Sequence, residues 1–201
     1  MRPTRPELAA AAGRTIPDII APGLYSAATG HHFARPGNRF WPALHRSGFT
    51  PRQLVPSEQS ELLGYGLGIT NLVARATARA DELTSAELRD GGRALESKAV
   101  ALGPAWLAVV GVTAYRVAFA RPQATVGSQS DRLGPARVWV LPNPSGLNAH
   151  YTVDSLAAEF ARLRQAAQRV GSGGRDDLDL DQPVSGERLG HDRRRWHEPT
   201  A

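Results

Sequence analysis

Apolar residues along this chain occur in two patterns, one typical of buried strands and one typical of helices. Trp106–Val110 and Val138–Leu141 are unbroken apolar runs bounded by turn residues, as in strands covered on both faces of a parallel sheet. Leu67–Val73 predicts a further strand. Between these runs, apolar residues recur three or four positions apart, which predicts helices with one buried face. The residues predicted to form those faces are Phe40, Trp41, Leu44, Leu88, Gly92, Leu95, Ala99, Leu156, Phe160, Leu163 and Ala167.

The alternation of strands and helices predicts an α/β fold, a three-layer α/β/α sandwich on a short parallel sheet. Polar residues predict where the helices begin. Thr84–Glu87 has the pattern of a capping box, and Asn38 is the predicted N-cap of a helix that ends at Arg46. Thr113 and Thr152 are predicted to start two later helices.

Composition divides the chain into one domain between two tails. Residues 1–16 are rich in Arg, Pro and Ala without apolar periodicity, which predicts a disordered extension. Residues 17–170 carry the strand and helix patterns and have the length of one compact domain. Residues 171–201 hold too few apolar side chains to form a core, which predicts a disordered C-terminal tail.

Charge and cysteine content exclude some classes of function and favour others. The chain has no cysteine, which excludes disulfides, a thiol nucleophile and a cysteine-ligated iron–sulfur cluster. No apolar run reaches membrane-spanning length, and we expect a cytoplasmic protein. Residues 1–170 carry a net charge of +7 and residues 171–201 a net charge of −2. A basic folded part suits an anionic polymer such as nucleic acid.

The segment after the last apolar strand, Pro142–Asn148, combines stiffness with an exposed apolar residue. Pro142 has no N–H to continue a strand ladder, and Pro144 restricts the backbone that follows. Gly146 allows a close approach to another molecule, and Leu147 is an apolar tip on a polar loop. The pattern fits either a plain strand-to-helix turn or a rigid wedge at the carboxyl end of a strand, where α/β sheets bind ligands.

Two motifs in this order resemble a known family. Pro142–Leu147 resembles the DNA-insertion loop of the mismatch-specific uracil/thymine-DNA glycosylases, and Ser26–Trp41 resembles a second motif of that family. The resemblance covers roughly residues 17–168. It implies a monomeric base-excision repair enzyme with the fold of the uracil-DNA glycosylases. Its partner would be double-stranded DNA with a G·U or G·T mismatch, from which it flips the pyrimidine and hydrolyses the N-glycosidic bond.

The resemblance also implies roles for individual residues. Phe33 would stack on the extruded base, beside Ser26 and Asn38; the alternative for Phe33 is an ordinary core aromatic. Leu147 would fill the space that the base leaves. The remaining residues assigned to DNA contacts are Arg39 and Arg75 for phosphates, Gly146 and Asn148 for the unpaired guanine, and Asn143, Pro144 and Ser145 within the loop.

One family element has no counterpart here. The family has a strand that ends in a Gly-x-Asn-Pro-Gly turn, whose asparagine positions the attacking water, but Pro22-Gly23-Leu24 runs directly into Tyr25-Ser26. We therefore expect the sheet to lack its first strand. Asp81 becomes the candidate catalytic carboxylate, ahead of Glu82 and then Asp18, although a solvated loop acid is the plainer interpretation of Asp81. The alternative function is a weak or inactive module that binds mismatched DNA.

The sequence predicts no cofactor and no metal. Adjacent His31 and His32 without a third ligand in pattern make a poor metal site. Hydrolysis of an N-glycosidic bond needs no organic cofactor. The chain has no strand-adjacent Gly-x-Gly-x-x-Gly, which disfavours a nucleotide-binding α/β domain.

Overall fold

The computed structural model describes residues 15–19, 30–73 and 82–173, with side chains described for 30–73 and 82–169. The strands are β1 (Thr15–Ile19), β2 (Thr70–Asn71), β3 (Trp106–Val110), β4 (Gly127–Leu133) and β5 (Ala136–Leu141). The helices are α1 (Phe40–Arg46), α2 (Ser85–Leu102), α3 (Val112–Ala118) and α4 (Val153–Gly173), with a 3-10 helix at Pro56–Tyr65.

The five strands form one sheet in the order β2-β1-β3-β5-β4. All neighbouring pairs are parallel except β4, which forms an antiparallel edge hairpin with β5. Alternate residues of β3 enter two separate cores. Trp106 and Ala108 belong to the core that α1 and α4 cover, whereas Leu107 and Val109 belong to the core that α2 and α3 cover. The predicted three-layer α/β/α fold is therefore confirmed, and the parallel strands bring their carboxyl ends to one edge.

The first strand differs from the expectation. We expected the sheet to lack this strand, yet Thr15–Ile19 pairs with β2 on one side and with β3 on the other. Thr15 and Ile16, which the sequence pattern placed in the N-terminal extension, are part of this strand. The expectation was wrong because the strand's place between β2 and β3 is set by main-chain pairing with both neighbours, which the local sequence pattern does not show.

The predicted helix starts are partly correct. Thr84 and Glu87 form the reciprocal capping box at the start of α2. The Thr152 hydroxyl accepts a hydrogen bond from the Ser155 amide at the start of α4. Thr113 was wrongly assigned as a cap, because α3 already begins at Val112.

A glycine on α2 provides a stability test. A Cβ atom at Gly91 would overlap the Leu72 carbonyl oxygen, which is backbone and cannot move aside cheaply. We expect Gly91→Ala to lower the free energy of unfolding by about 1–3 kcal/mol through overpacking, although alanine is the better helix former. Gly64→Ala is the control because nothing lies within 4 Å of a Cβ there. Urea unfolding of both variants checks this, and a stabilised Gly91→Ala would contradict it.

Candidate nucleic-acid interface

The loop Pro142–Asn148 follows β5 at the carboxyl edge of the sheet and is closed by its own side chains. The Asn143 Oδ1 atom accepts a hydrogen bond from the Ser145 amide at 3.0 Å, and Asn148 Nδ2 donates to the Asn143 carbonyl at 2.9 Å. The Ser145 hydroxyl accepts from the Leu147 amide at 3.3 Å. We call this segment the wedge loop. These polar side chains therefore bond within the loop itself and close it.

Leu147 stands at the tip of the wedge loop with 74 % of its surface exposed. This is the largest exposure among the large hydrophobic side chains in the part of the chain that the structure describes; Val100 follows with 63 %. The predicted apolar tip is therefore confirmed. A leucine held out into water on a fixed loop contributes little to the core.

The segment Gly37–Arg39 lies directly behind the wedge loop. The Arg39 amide donates to the Pro144 carbonyl at 2.9 Å. The Arg39 guanidinium donates to the Gly146 carbonyl at 2.7 Å and to the Asn148 carbonyl at 3.1 Å. Arg39 was predicted to contact phosphates, but in this structure its donors are directed at the loop.

Gly146 is needed for this contact. A Cβ atom at Gly146 would stand 2.7 Å from the Gly37 carbonyl oxygen, closer than real Cβ atoms come. This glycine was predicted to allow the close approach of another molecule. In the structure it allows the close approach of the chain's own backbone at Gly37.

Phe33 is at the start of the same segment and is 8 % exposed. Its ring stacks on Phe40 of α1 with centroids 3.8 Å apart and planes 20° apart. Its backbone has φ +55°, a left-handed conformation that is unfavourable for a bulky side chain and marks a locally constrained site. Asn38 is half-buried, and its Oδ1 atom accepts a hydrogen bond from the Phe40 amide at 2.9 Å.

Gln59 of the 3-10 helix holds the backbone just before Phe33. Its Oε1 atom accepts from the His32 amide at 2.8 Å, and its Nε2 atom donates to the Gly30 carbonyl at 3.2 Å. Trp41 Nε1 donates to the His32 carbonyl at 3.2 Å. These bonds hold the strained turn that presents His32 and Phe33.

Asn71 and His32 form a pair of polar side chains at the carboxyl edge of the sheet. Asn71 ends β2 and pairs in register with Ile19, the last residue of β1. Its Oδ1 atom is buried, and it has no hydrogen-bond partner within the described part of the chain. Burial lowers the pKa of His32, the Asn71 side chain beside it partly raises that pKa, and the charge of His31 lowers it. A buried amide oxygen that has no partner among the described residues, at the carboxyl end of a parallel strand, is a candidate contact for a ligand.

A comparison with protein families matches residues 20–168 to the uracil DNA glycosylase superfamily. The chain belongs to this superfamily. Its members are DNA glycosylases, which are hydrolases that act on DNA. The match spans both sequence motifs and the whole arrangement of Phe33, Asn71 and the wedge loop.

Three residues assigned to the glycosylase site lie outside the described residues: Ser26, Arg75 and Asp81. Of the other carboxylates considered, Asp18 lies in β1, and Glu82 is exposed just before α2.

Across residues 30–73 and 82–169, no group of three His, Asp or Glu side chains could hold a metal ion. The helices within those described residues are all too short or too polar to cross a membrane.

Asn71 and Gln59 were not predicted as site residues. Leu67–Val73 was interpreted as one strand, so Asn71 was placed inside it rather than at its end. The structure forms a strand only at Thr70–Asn71. A polar residue followed by the apolar pair Leu72-Val73 could have indicated the strand end. No local pattern marks Gln59, because its partners lie 27 and 29 residues away.

A separate cavity of about 360 Å³ lies between α2, α3 and β4 of this glycosylase-superfamily fold. It is lined by Tyr115 and Phe119 and by four arginines, of which Arg121 pairs with Asp131. None of the residues assigned to the base or to DNA borders this cavity.

His32 gives a testable pH dependence. Because burial lowers its pKa in the folded state, the unfolded chain binds the proton more tightly, and folding is weakened as the pH falls below about 6.5. We expect the melting temperature to fall between pH 7.5 and 5.5, and His32→Gln to reduce that dependence. His150→Gln, which removes an exposed histidine, is the control. Equal slopes for wild type and His32→Gln would contradict the expectation.

Proposed function

We propose that this protein removes uracil or thymine from G·U and G·T mismatches by flipping the base and hydrolysing its N-glycosidic bond. The observation that carries the proposal is the 74 % exposed Leu147 on a wedge loop held at the carboxyl edge of the sheet in a uracil DNA glycosylase superfamily member. Neither packing nor solubility favours a leucine in that position, whereas a DNA duplex offers it an apolar gap between bases.

A base is extruded from a duplex more easily at a mismatch than at a matched pair. Taking a base out of the stack costs a few kcal/mol, and the cost is least for a base that is already weakly paired. Leu147 would occupy the vacated gap, which prevents the base from returning. The exposed Gly146 and the half-buried Asn148 would face the guanine left behind, and Asn143, Pro144 and Ser145 would shape the surface that meets the strand.

The base pocket in this proposal lies where the described polar and aromatic groups meet the carboxyl edge. Phe33 would stack on the pyrimidine, with Ser26 and Asn38 beside it. Asn71, whose buried amide oxygen lies beside His32 and has no hydrogen-bond partner among the described residues, would hydrogen-bond the edge of the base. His32 favours its neutral form because burial lowers its pKa, so it can donate to or accept from the base without adding charge.

The chemical step requires stabilisation of charge on the sugar and a positioned water. Asp81 would supply the carboxylate. Residues 20–37, which follow β1, contain no asparagine, and this observation favours a second candidate function. In that case the protein binds mismatched DNA and cleaves it slowly or not at all.

A single-turnover assay on a duplex with one central G·U pair tests both candidates. Release of free uracil, with slower release from an A·U duplex of the same sequence, supports the glycosylase. Tighter binding to G·U than to G·C without release supports the binding module. Equal affinity for G·U and G·C duplexes without release of uracil would contradict both candidate functions.

A further inference from the structure

We infer that Arg39 is a positioning residue that sets the wedge loop for insertion into a duplex, and that it does not act as a phosphate ligand. The role of Arg39 in DNA insertion rests on the proposed function. The contacts between Arg39 and the wedge loop are made within the free protein. Arg39 bonds to the loop through its backbone amide and through both terminal nitrogens of its guanidinium.

The three acceptors lie on both sides of the leucine. Pro144 and Gly146 precede Leu147, and Asn148 follows it. A single residue, Arg39, therefore holds the main chain on both sides of Leu147. A charged donor makes shorter and stronger hydrogen bonds to carbonyl oxygens than a neutral donor does, and the 2.7 Å bond to Gly146 fits this.

The shape of the side chain matters as much as its charge. Arginine offers several N–H donors in a rigid planar fork, so that two carbonyls can be held at a fixed separation. Lysine has a compact ammonium on a flexible stem and cannot reproduce that geometry. A phosphate, in contrast, is also bound by the ammonium of lysine, which acts as a point charge.

Arg39 also connects the wedge to the aromatic that is proposed to hold the base. It immediately precedes Phe40, the first residue of α1, and Phe40 stacks on Phe33 at 3.8 Å. The close approach of Gly146 to Gly37 fixes the same segment against the loop. The wedge loop that carries Leu147 and the ring of Phe33 that would stack on the base are therefore both positioned by the start of α1.

The experiment compares Arg39→Lys, Arg39→Gln and Arg35→Gln. Arg35 is exposed, lies four residues earlier on the same segment, and forms no side-chain hydrogen bond in the described part of the chain. The probe is a G·U duplex with a 2′-fluoro sugar that resists cleavage. We expect Arg39→Lys and Arg39→Gln to weaken binding alike, by about tenfold, without a change in the slope of log Kd against log salt. Loss of a phosphate contact would instead lower that slope by about one.

A double-mutant cycle with Leu147→Ala makes the test sharper. If Arg39 acts through the loop, Arg39→Lys has almost no further effect once Leu147 is truncated. Additive losses, restoration of binding by lysine, or a reduced salt slope would each overturn the inference.

A measurement without DNA separates this inference from the proposed function. In the free protein, Arg39→Lys should speed hydrogen exchange at the amides of residues 145–149, while Arg35→Gln should leave it unchanged. Unchanged exchange in Arg39→Lys would overturn the positioning role. If wild-type protein showed no preference for a G·U duplex, the proposed function would fail, while faster loop exchange in Arg39→Lys would still support the positioning role.

Discussion

Leu147→Ala is expected to weaken binding to a G·U duplex about tenfold to a hundredfold while the melting temperature of the protein stays the same. Burying a leucine side chain contributes about 1.5–3 kcal/mol, which corresponds to that range of affinity. In the free protein the side chain is 74 % exposed, so its loss removes few contacts. Surface substitutions of this kind change stability by less than about 0.5 kcal/mol. Fluorescence anisotropy and thermal melting measure the two quantities.

Val100→Ala is the matched control for Leu147. Val100 is 63 % exposed on α2, and it also loses an apolar side chain without belonging to the wedge loop. Its affinity for the duplex should equal that of wild type. A large drop in melting temperature for Leu147→Ala, or the same loss of affinity in both variants, would show that the tip does not enter DNA.

Asp81→Asn is expected to lower the rate of uracil release by a factor of roughly 10² to 10³ and to leave duplex binding unchanged. The carboxylate would stabilise the positive charge that develops on the sugar, and the amide has the same shape without the charge. Removing one preorganised electrostatic group from an active site has effects of about this size. Single-turnover release from a G·U duplex measures the rate, and anisotropy on the 2′-fluoro duplex measures the binding.

Glu82→Gln is the natural comparison for Asp81. Glu82 is the next residue, is exposed, and was the second choice as the catalytic carboxylate. Its neutralisation should change the rate less than threefold. The opposite result, a slow Glu82→Gln and an unaffected Asp81→Asn, would move the catalytic role by one residue, and two unaffected variants would exclude both carboxylates.

Much of the fold could be predicted from local sequence patterns. The bounds of β3 are as predicted, because five apolar residues between turn signals leave few alternatives. The capping box at Thr84 and the buried face of Leu88, Leu95 and Ala99 are confirmed as well, because residues three or four positions apart determine both. The exposed position of Leu147 followed from its isolation among proline, glycine and polar residues.

Features that depend on distant partners could not be predicted. The support of the wedge loop by Arg39 joins residues 107 and 109 positions apart, and nothing near Arg39 in sequence indicates it. Gly146 was recognised as a site of close approach, but its neighbour, Gly37, is known only from the fold. The strand at Thr15–Ile19 was missed because strand formation there depends on its two neighbours rather than on its own alternation.

The central place of β1 has a consequence for how the chain acquires its structure during synthesis. One neighbour of Thr15–Ile19 is Trp106–Val110, about 90 residues later in the chain. At the usual pace of translation, about 5–20 residues per second, the first strand waits roughly 5–20 s for that neighbour to leave the ribosome. During this interval the edge of β1 that β3 will cover stays unpaired. Chaperone binding to the nascent chain should therefore be strongest before residue 110 emerges and should decline as β3 pairs with it.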